Sequence, residues 1–136
     1  MCVVPVLLAL LVPSASDKPV LPAEWHGVWK GEMVFSGPND KTTRIPITIT
    51  IEPRDDSESW TWRTVYSGEL KVVKDYILRP GDRAGRFVID EGGGLVLAAR
   101  LDDRVMVSTF AVGETVLNAR YEVSGTTLRF EVTSAR

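Results

Sequence analysis

Between residues 43 and 52 the chain alternates without a break, with Ile45, Ile47, Ile49 and Ile51 set against Arg44, Pro46, Thr48, Thr50 and Glu52. A repeat of two is the period of a β-strand, whose successive side chains point to opposite faces. One face of this segment is apolar and the other wet, so the strand covers a core on one side only. The same period returns along the chain. Residues 60–66 set Trp60, Trp62, Thr64 and Tyr66 on one face. Further strand patterns occupy residues 70–78, 86–90, 95–101, 105–112, 116–123 and 128–132. Turn formers separate them: Ser67-Gly68-Glu69, Arg79-Pro80-Gly81-Asp82, the glycines 92–94, Asp102-Asp103, Gly113-Glu114 and Ser124-Gly125-Thr126. Such residues reverse a chain because glycine accepts positive φ, proline presets its own φ, and Asp or Ser bonds to nearby backbone. No long segment has helical period. Sequential hairpins without crossovers predict an all-β fold: a single antiparallel up-and-down barrel of about eight to ten strands. Closing the sheet into a barrel removes edges that would otherwise pair with other chains.

The stretch 24–35 opens this series. Trp25, Gly27, Trp29, Gly31, Met33 and Phe35 fall on one side of its pleat, and His26, Val28, Lys30, Glu32 and Val34 on the other. The first set is expected to face the core. Glycine at alternate positions leaves room for a neighbouring indole, or lets the strand bend at a barrel corner. Gly27, Trp29 and Gly31 are therefore read as structural, with Trp29 near the closed end of the barrel.

Gly27-Val28-Trp29 resembles the G-x-W signature on the first strand of the calycins, the superfamily of lipocalins and fatty-acid-binding proteins. The resemblance implies an up-and-down barrel that holds a small apolar ligand. In the lipocalin pattern an Arg near the last strands packs over the Trp, and Arg120 and Arg129 are the candidates here. The run from Gly27 through Trp29 to Gly31 also resembles the G-x-W-x-G opening of the nitrobindin-like haem barrels. There a His near the C-terminus binds iron. His26 is the single histidine of this chain, so no cofactor is expected.

A length of 136 residues suits one domain, and a formal charge of −2 with no basic block makes nucleic acid an unsuitable partner. The apolar run 2–12 is too short for a membrane-spanning helix, which needs about 20 residues. Pro13-Ser14-Ala15-Ser16 follows it with small residues. Residues 1–16 are therefore read as a signal peptide, 17–24 as an extended tail and 25–136 as the barrel. The expected mature protein is exported, with no integral membrane segment. Cys2, the only cysteine, lies in the leader. The mature chain then has no thiol for a disulfide, a metal thiolate or a nucleophile, and its core alone must hold it.

Catalytic chemistry finds little footing. No G-x-S-x-G, H-E-x-x-H or P-loop pattern occurs. His26 stands alone, whereas a serine triad needs a His oriented by an acid, so it is read as a rim histidine. Asp55, Asp56 and Glu58 lack the spacing of a calcium loop and are read as a solvated turn. No catalytic or metal-binding residue is assigned. Aromatic rings with polar edges suit a pocket with apolar walls and a few oriented donors. Trp60, Trp62 and Tyr66 share a face, and a short turn folds Tyr76 back beside Trp60 and Trp62. These four residues are the expected ligand wall. Lys74 interrupts the apolar row of its strand, either to meet an anionic head group or because that face is outside. The chain is thus expected to be a binding protein for a small apolar or amphipathic molecule. The alternative is a structural or protein-interaction module whose side chains fill the interior.

Overall fold

The two-residue alternation of the isoleucines recurs in the later strands, and a meander of strands with one apolar face each can bury that face by curling around it. The structure, a computed structural model, describes residues 18–69 and 71–136. The expected leader, and Leu70 at the head of the fourth strand pattern, lie outside the described residues. Nine strands follow one another: β1 Gly27–Ser36, β2 Thr42–Pro53, β3 Trp60–Ser67, β4 Lys71–Pro80, β5 Arg86–Gly92, β6 Leu95–Asp102, β7 Val105–Val112, β8 Thr115–Ser124 and β9 Thr127–Ala135. Each pairs antiparallel with the next, in the order β1 to β9. The result is an up-and-down barrel that is nearly closed.

Register carries the apolar face around the barrel. Trp29 lies opposite Ile49, Ile51 opposite Trp62, Trp62 opposite Tyr76 and Trp60 opposite Leu78. Ile89 then faces Leu97, Met106 faces Tyr121, and Tyr121 faces Phe130. All these side chains point inward. Burial along the inner face is uneven. On β4 it runs from Leu78, fully buried, to Val72, 45% exposed. On β7 it runs from Met106, fully buried, to Val112, 60% exposed. The barrel therefore has a sealed end and an open end.

The N-terminal segment makes the seal. The expected extended tail is shorter than anticipated, because residues 23–25 form a 3-10 turn and Leu21 and Trp25 are buried. Trp25 thus precedes the first strand, and its ring stands 6.1 Å from that of Trp62. Trp60 meets Phe87 edge to face at 5.9 Å in the same packed region. The place at the closed end expected for Trp29 is taken by Trp25. Trp29 is half-buried, and its indole Nε1 donates to the Trp25 carbonyl at 3.1 Å. The reason is phase: the turn ahead of β1 throws the Trp25 ring across the barrel end, a position no strand residue reaches.

Gly27 serves the second of its two expected roles. Its φ of +143° is open to glycine and strained for other residues. The bend there lets the chain pass from the seal into β1. An added Cβ at Gly31 would meet no atom within 4 Å, so no indole occupies the space it leaves.

Two ladders and one seam interrupt the regular wall. β4 and β5 share four residue pairs, from Ile77–Asp90 to Pro80–Phe87. β6 and β7 share three, from Arg100–Val107 to Asp102–Val105. The β5–β6 hairpin is thus tied to its neighbours by backbone near the sealed end only. Ser108 Oγ adds one tie, donating to the Ala98 carbonyl at 2.8 Å. Among the described residues no backbone pairing joins β9 to β1. A groove of about 320 Å³ runs along that seam, bordered by Trp29, Met33, Ile49, Leu128 and Phe130. The ion pairs Arg44–Glu32, Arg79–Asp90, Arg120–Glu122 and Arg129–Glu131 all involve at least partly exposed side chains. Arg120 and Arg129, the candidates to cover the G-x-W tryptophan, are spent on those carboxylates, 2.6 and 2.7 Å away.

Candidate functional site

Above the seal the inner face does not fill its own space. A cavity of about 340 Å³ opens between Trp62, Thr64 and Tyr66 of β3 and Leu117, Ala119 and Tyr121 of β8. Tyr76 of β4, Ile89 and Glu91 of β5 and Leu97 of β6 complete one wall. Ser108 and Phe110 of β7 with Phe130 and Val132 of β9 complete the other. The physical cause is a change of side-chain size along the strands. Large rings crowd the sealed end, whereas Thr64 and the paired Ser108 and Ala119, higher up, are small.

Three of the four residues expected to form a ligand wall come together here: Trp62, Tyr66 and Tyr76. Trp60 shares their face, but it lies one step deeper, 5% exposed against Phe87, and belongs to the seal. Lys74 is on the inner face at the open end, its Nζ 6.0 Å above the Tyr66 ring. Sequence reasoning passed over Tyr121, Phe130 and Glu91. Tyr121 and Phe130 stack at 4.4 Å, and Tyr121 meets Trp62 edge to face at 5.1 Å. Their signal was present as aromatic positions in phase with Leu117, Ala119 and Leu128. Glu91 falls just past the strand expected over residues 86–90. β5 runs on to Gly92 through an irregularity in its ladder.

All three tyrosines of the chain line the cavity, and each phenol is harder to ionise than usual. Burial pushes Tyr66 up. Burial, then a hydrogen bond to the Glu91 carboxylate and its charge, raises Tyr76 to about 12. Burial raises Tyr121 well beyond the ordinary value, partly countered by the neighbouring Trp62 indole. The Trp62 Nε1 is fully buried and has no acceptor in hydrogen-bonding geometry. The Tyr121 hydroxyl lies beside it. The lining therefore combines apolar walls with neutral phenols, one buried indole N–H, and one charge of each sign.

The remaining candidates lie apart from the cavity. His26 is half-buried at the sealed end, near Glu24, Gly125 and Thr126, and its Nε2 has no partner. Asp56 caps its own loop: Oδ1 accepts from the Glu58 and Ser59 amides at 3.0 Å and from Ser59 Oγ at 2.9 Å. Those bonds hold its carboxyl below the ordinary 3.8. Among the described residues no cluster of His, Cys, Asp or Glu is arranged to hold a metal ion. None of the helices there is long and apolar enough to cross a membrane.

Fold and cavity together define the class: an antiparallel up-and-down barrel enclosing an interior space that opens at one end. Set against protein-family models, curated proteins and solved structures, the chain matches none.

Proposed function

We propose that this protein binds a small apolar or amphipathic molecule inside its barrel, in the manner of the calycins its first strand resembles. The observation that carries the reading is the cavity of about 340 Å³ on the inner face. Ligand sites are typically concave, mostly apolar, and about 300–1,000 Å³ in volume, with a few placed polar groups. This one stands at the small end of that range. The alternative, a barrel whose side chains fill its interior, describes the sealed half alone.

The test is direct. Titration with an uncharged hydrophobic dye, N-phenyl-1-naphthylamine, is expected to give saturable fluorescence enhancement with about one dye per chain. Substituting Ala119→Trp fills the cavity from its wall and is expected to remove the signal while the far-UV circular dichroism is kept. Linear, unsaturable enhancement would sink the reading.

Export belongs to the same reading, because the apolar run 2–12 is followed by small residues. Protein recovered from outside the cytoplasm of its own host is expected to begin near Asp17. Recovery there with Met1 still attached would refute cleavage.

A further inference from the structure

We infer that the cavity selects an uncharged ligand whose hydrogen-bond-accepting oxygen, such as a ketone, aldehyde or ester carbonyl, points inward to Trp62 and Tyr121. The inference rests on the cavity being a ligand site, and it adds which chemistry enters and which end leads.

Donors and acceptors decide it. Trp62 is 1% exposed, and its indole N–H, which can only donate, meets no acceptor. The Tyr121 hydroxyl lies beside it. If the indole turns its proton to that oxygen, the phenol proton is left over. The pair therefore always carries one donor more than it can use internally. No other polar side chain of the lining accepts a hydrogen bond from the indole: Ser108 Oγ lies against the Ala98 carbonyl at 2.8 Å, and the Tyr76 phenol has the Glu91 carboxylate as its neighbour. A buried donor left without an acceptor costs on the order of 1–3 kcal/mol. Solvent meets this need while the cavity is wet. An alkane displacing that solvent would strand the donor, whereas a carbonyl oxygen would take it.

Charge excludes the obvious rival, a fatty acid entering head first. A carboxylate at the floor would lose its hydration, and its one charged neighbour across the cavity would be Glu91, of the same sign. The cation of the lining, Lys74, is at the exposed rim. A fatty acid could hold its head there only in the reverse orientation, with the Trp62–Tyr121 donor unmet.

Displacement of N-phenyl-1-naphthylamine by 2-decanone and by decanoate at neutral pH tests this. The ketone is expected to displace the dye at a concentration at least about tenfold lower, the equivalent of one buried hydrogen bond. Tyr121→Phe and Trp62→Phe keep a ring in place. The two together are expected to lower the preference for 2-decanone over the dye about tenfold, read as the ratio of the two affinities in each protein. Circular dichroism and melting temperature report whether the double variant has folded, and if it has not, the comparison of 2-decanone with decanoate on the unaltered protein decides alone. Equal affinity for the two probes, preference for decanoate, or a ketone-to-dye ratio untouched by the substitutions overturns the inference while the cavity reading stands. Failure of dye and probes alike to bind overturns both.

Discussion

At the scale of single residues, two tryptophans four positions apart have different fates. Trp25 is fully buried across the sealed end, and Trp29 is half-buried beside the seam. Trp25→Ala is expected to cost about 3–5 kcal/mol in reversible denaturation, the usual range for a large buried aromatic. Trp29→Ala should cost clearly less, since part of its surface already meets water. A larger loss at Trp29 than at Trp25 would contradict the packing described. The face of the strand rings Trp29, Trp60 and Trp62 was readable from the chain, because parity along a strand decides inside from outside. Depth was not. Trp60 and Trp62 have the same parity, yet one plugs the barrel and the other borders its cavity, a difference set by Leu21 and Trp25 arriving from outside the sheet. The phenols give a second test at this scale. With Tyr66 and Tyr121 raised and Tyr76 at about 12, absorbance at 295 nm should show no tyrosine of the folded protein ionising at its ordinary value near 10. Unfolded chains bind these protons less tightly than the folded one. The stability linked to them is therefore complete below about pH 10 and is lost as pH rises through the folded values. A folded protein with a normal phenol titration at pH 10 would refute the burial of the rings.

At the scale of elements, the strands were largely written in the alternation and in the glycine, proline and acidic residues between them. Observed ends mostly differ from expected ones by a residue or two, as at β2 and β8, where the last ladder pairs extend into turn residues, and β9 runs three residues past its expected end. The exceptions have physical causes. Glu91 joins β5 because the ladder shifts register between Asp90 and Gly92, a bulge no hydrophobic pattern announces. The short ladders flanking the β5–β6 hairpin were equally silent, since strand length does not say how much of a strand its neighbour accompanies. Of the expected wall, Trp62, Tyr66 and Tyr76 were found through local hairpin register. Tyr121 and Phe130 reach the cavity only through barrel curvature, which brings β8 and β9 across from β3 over a long stretch of chain.

At the scale of the whole molecule, the seam has a consequence of direction. Consecutive antiparallel strands alternate in sense, so in a meander of nine the first and the last run the same way. β1 and β9 could close only as a parallel pair, and each is left with an edge of free amides and carbonyls. A foreign strand running opposite to both would match either edge. Lys30 and Glu32 on β1, and Arg129 and Glu131 on β9, are all charged side chains on the outer pleat of those edges. Beside those of β1 lie Val28 and Val34, 54% and 49% exposed. Charge on an edge is how sheet proteins discourage intermolecular pairing. The Glu32–Arg44 pair, both partners more than half exposed, contributes at most about 1 kcal/mol to folding. Replacing Lys30 and Glu32 together by threonine should therefore leave the melting temperature nearly unchanged and shorten the lag before fibrils form at micromolar concentration. An unaltered lag would show that the seam is already shielded. Otherwise those two charges, which add almost nothing to the stability of one molecule, are what keeps many molecules apart.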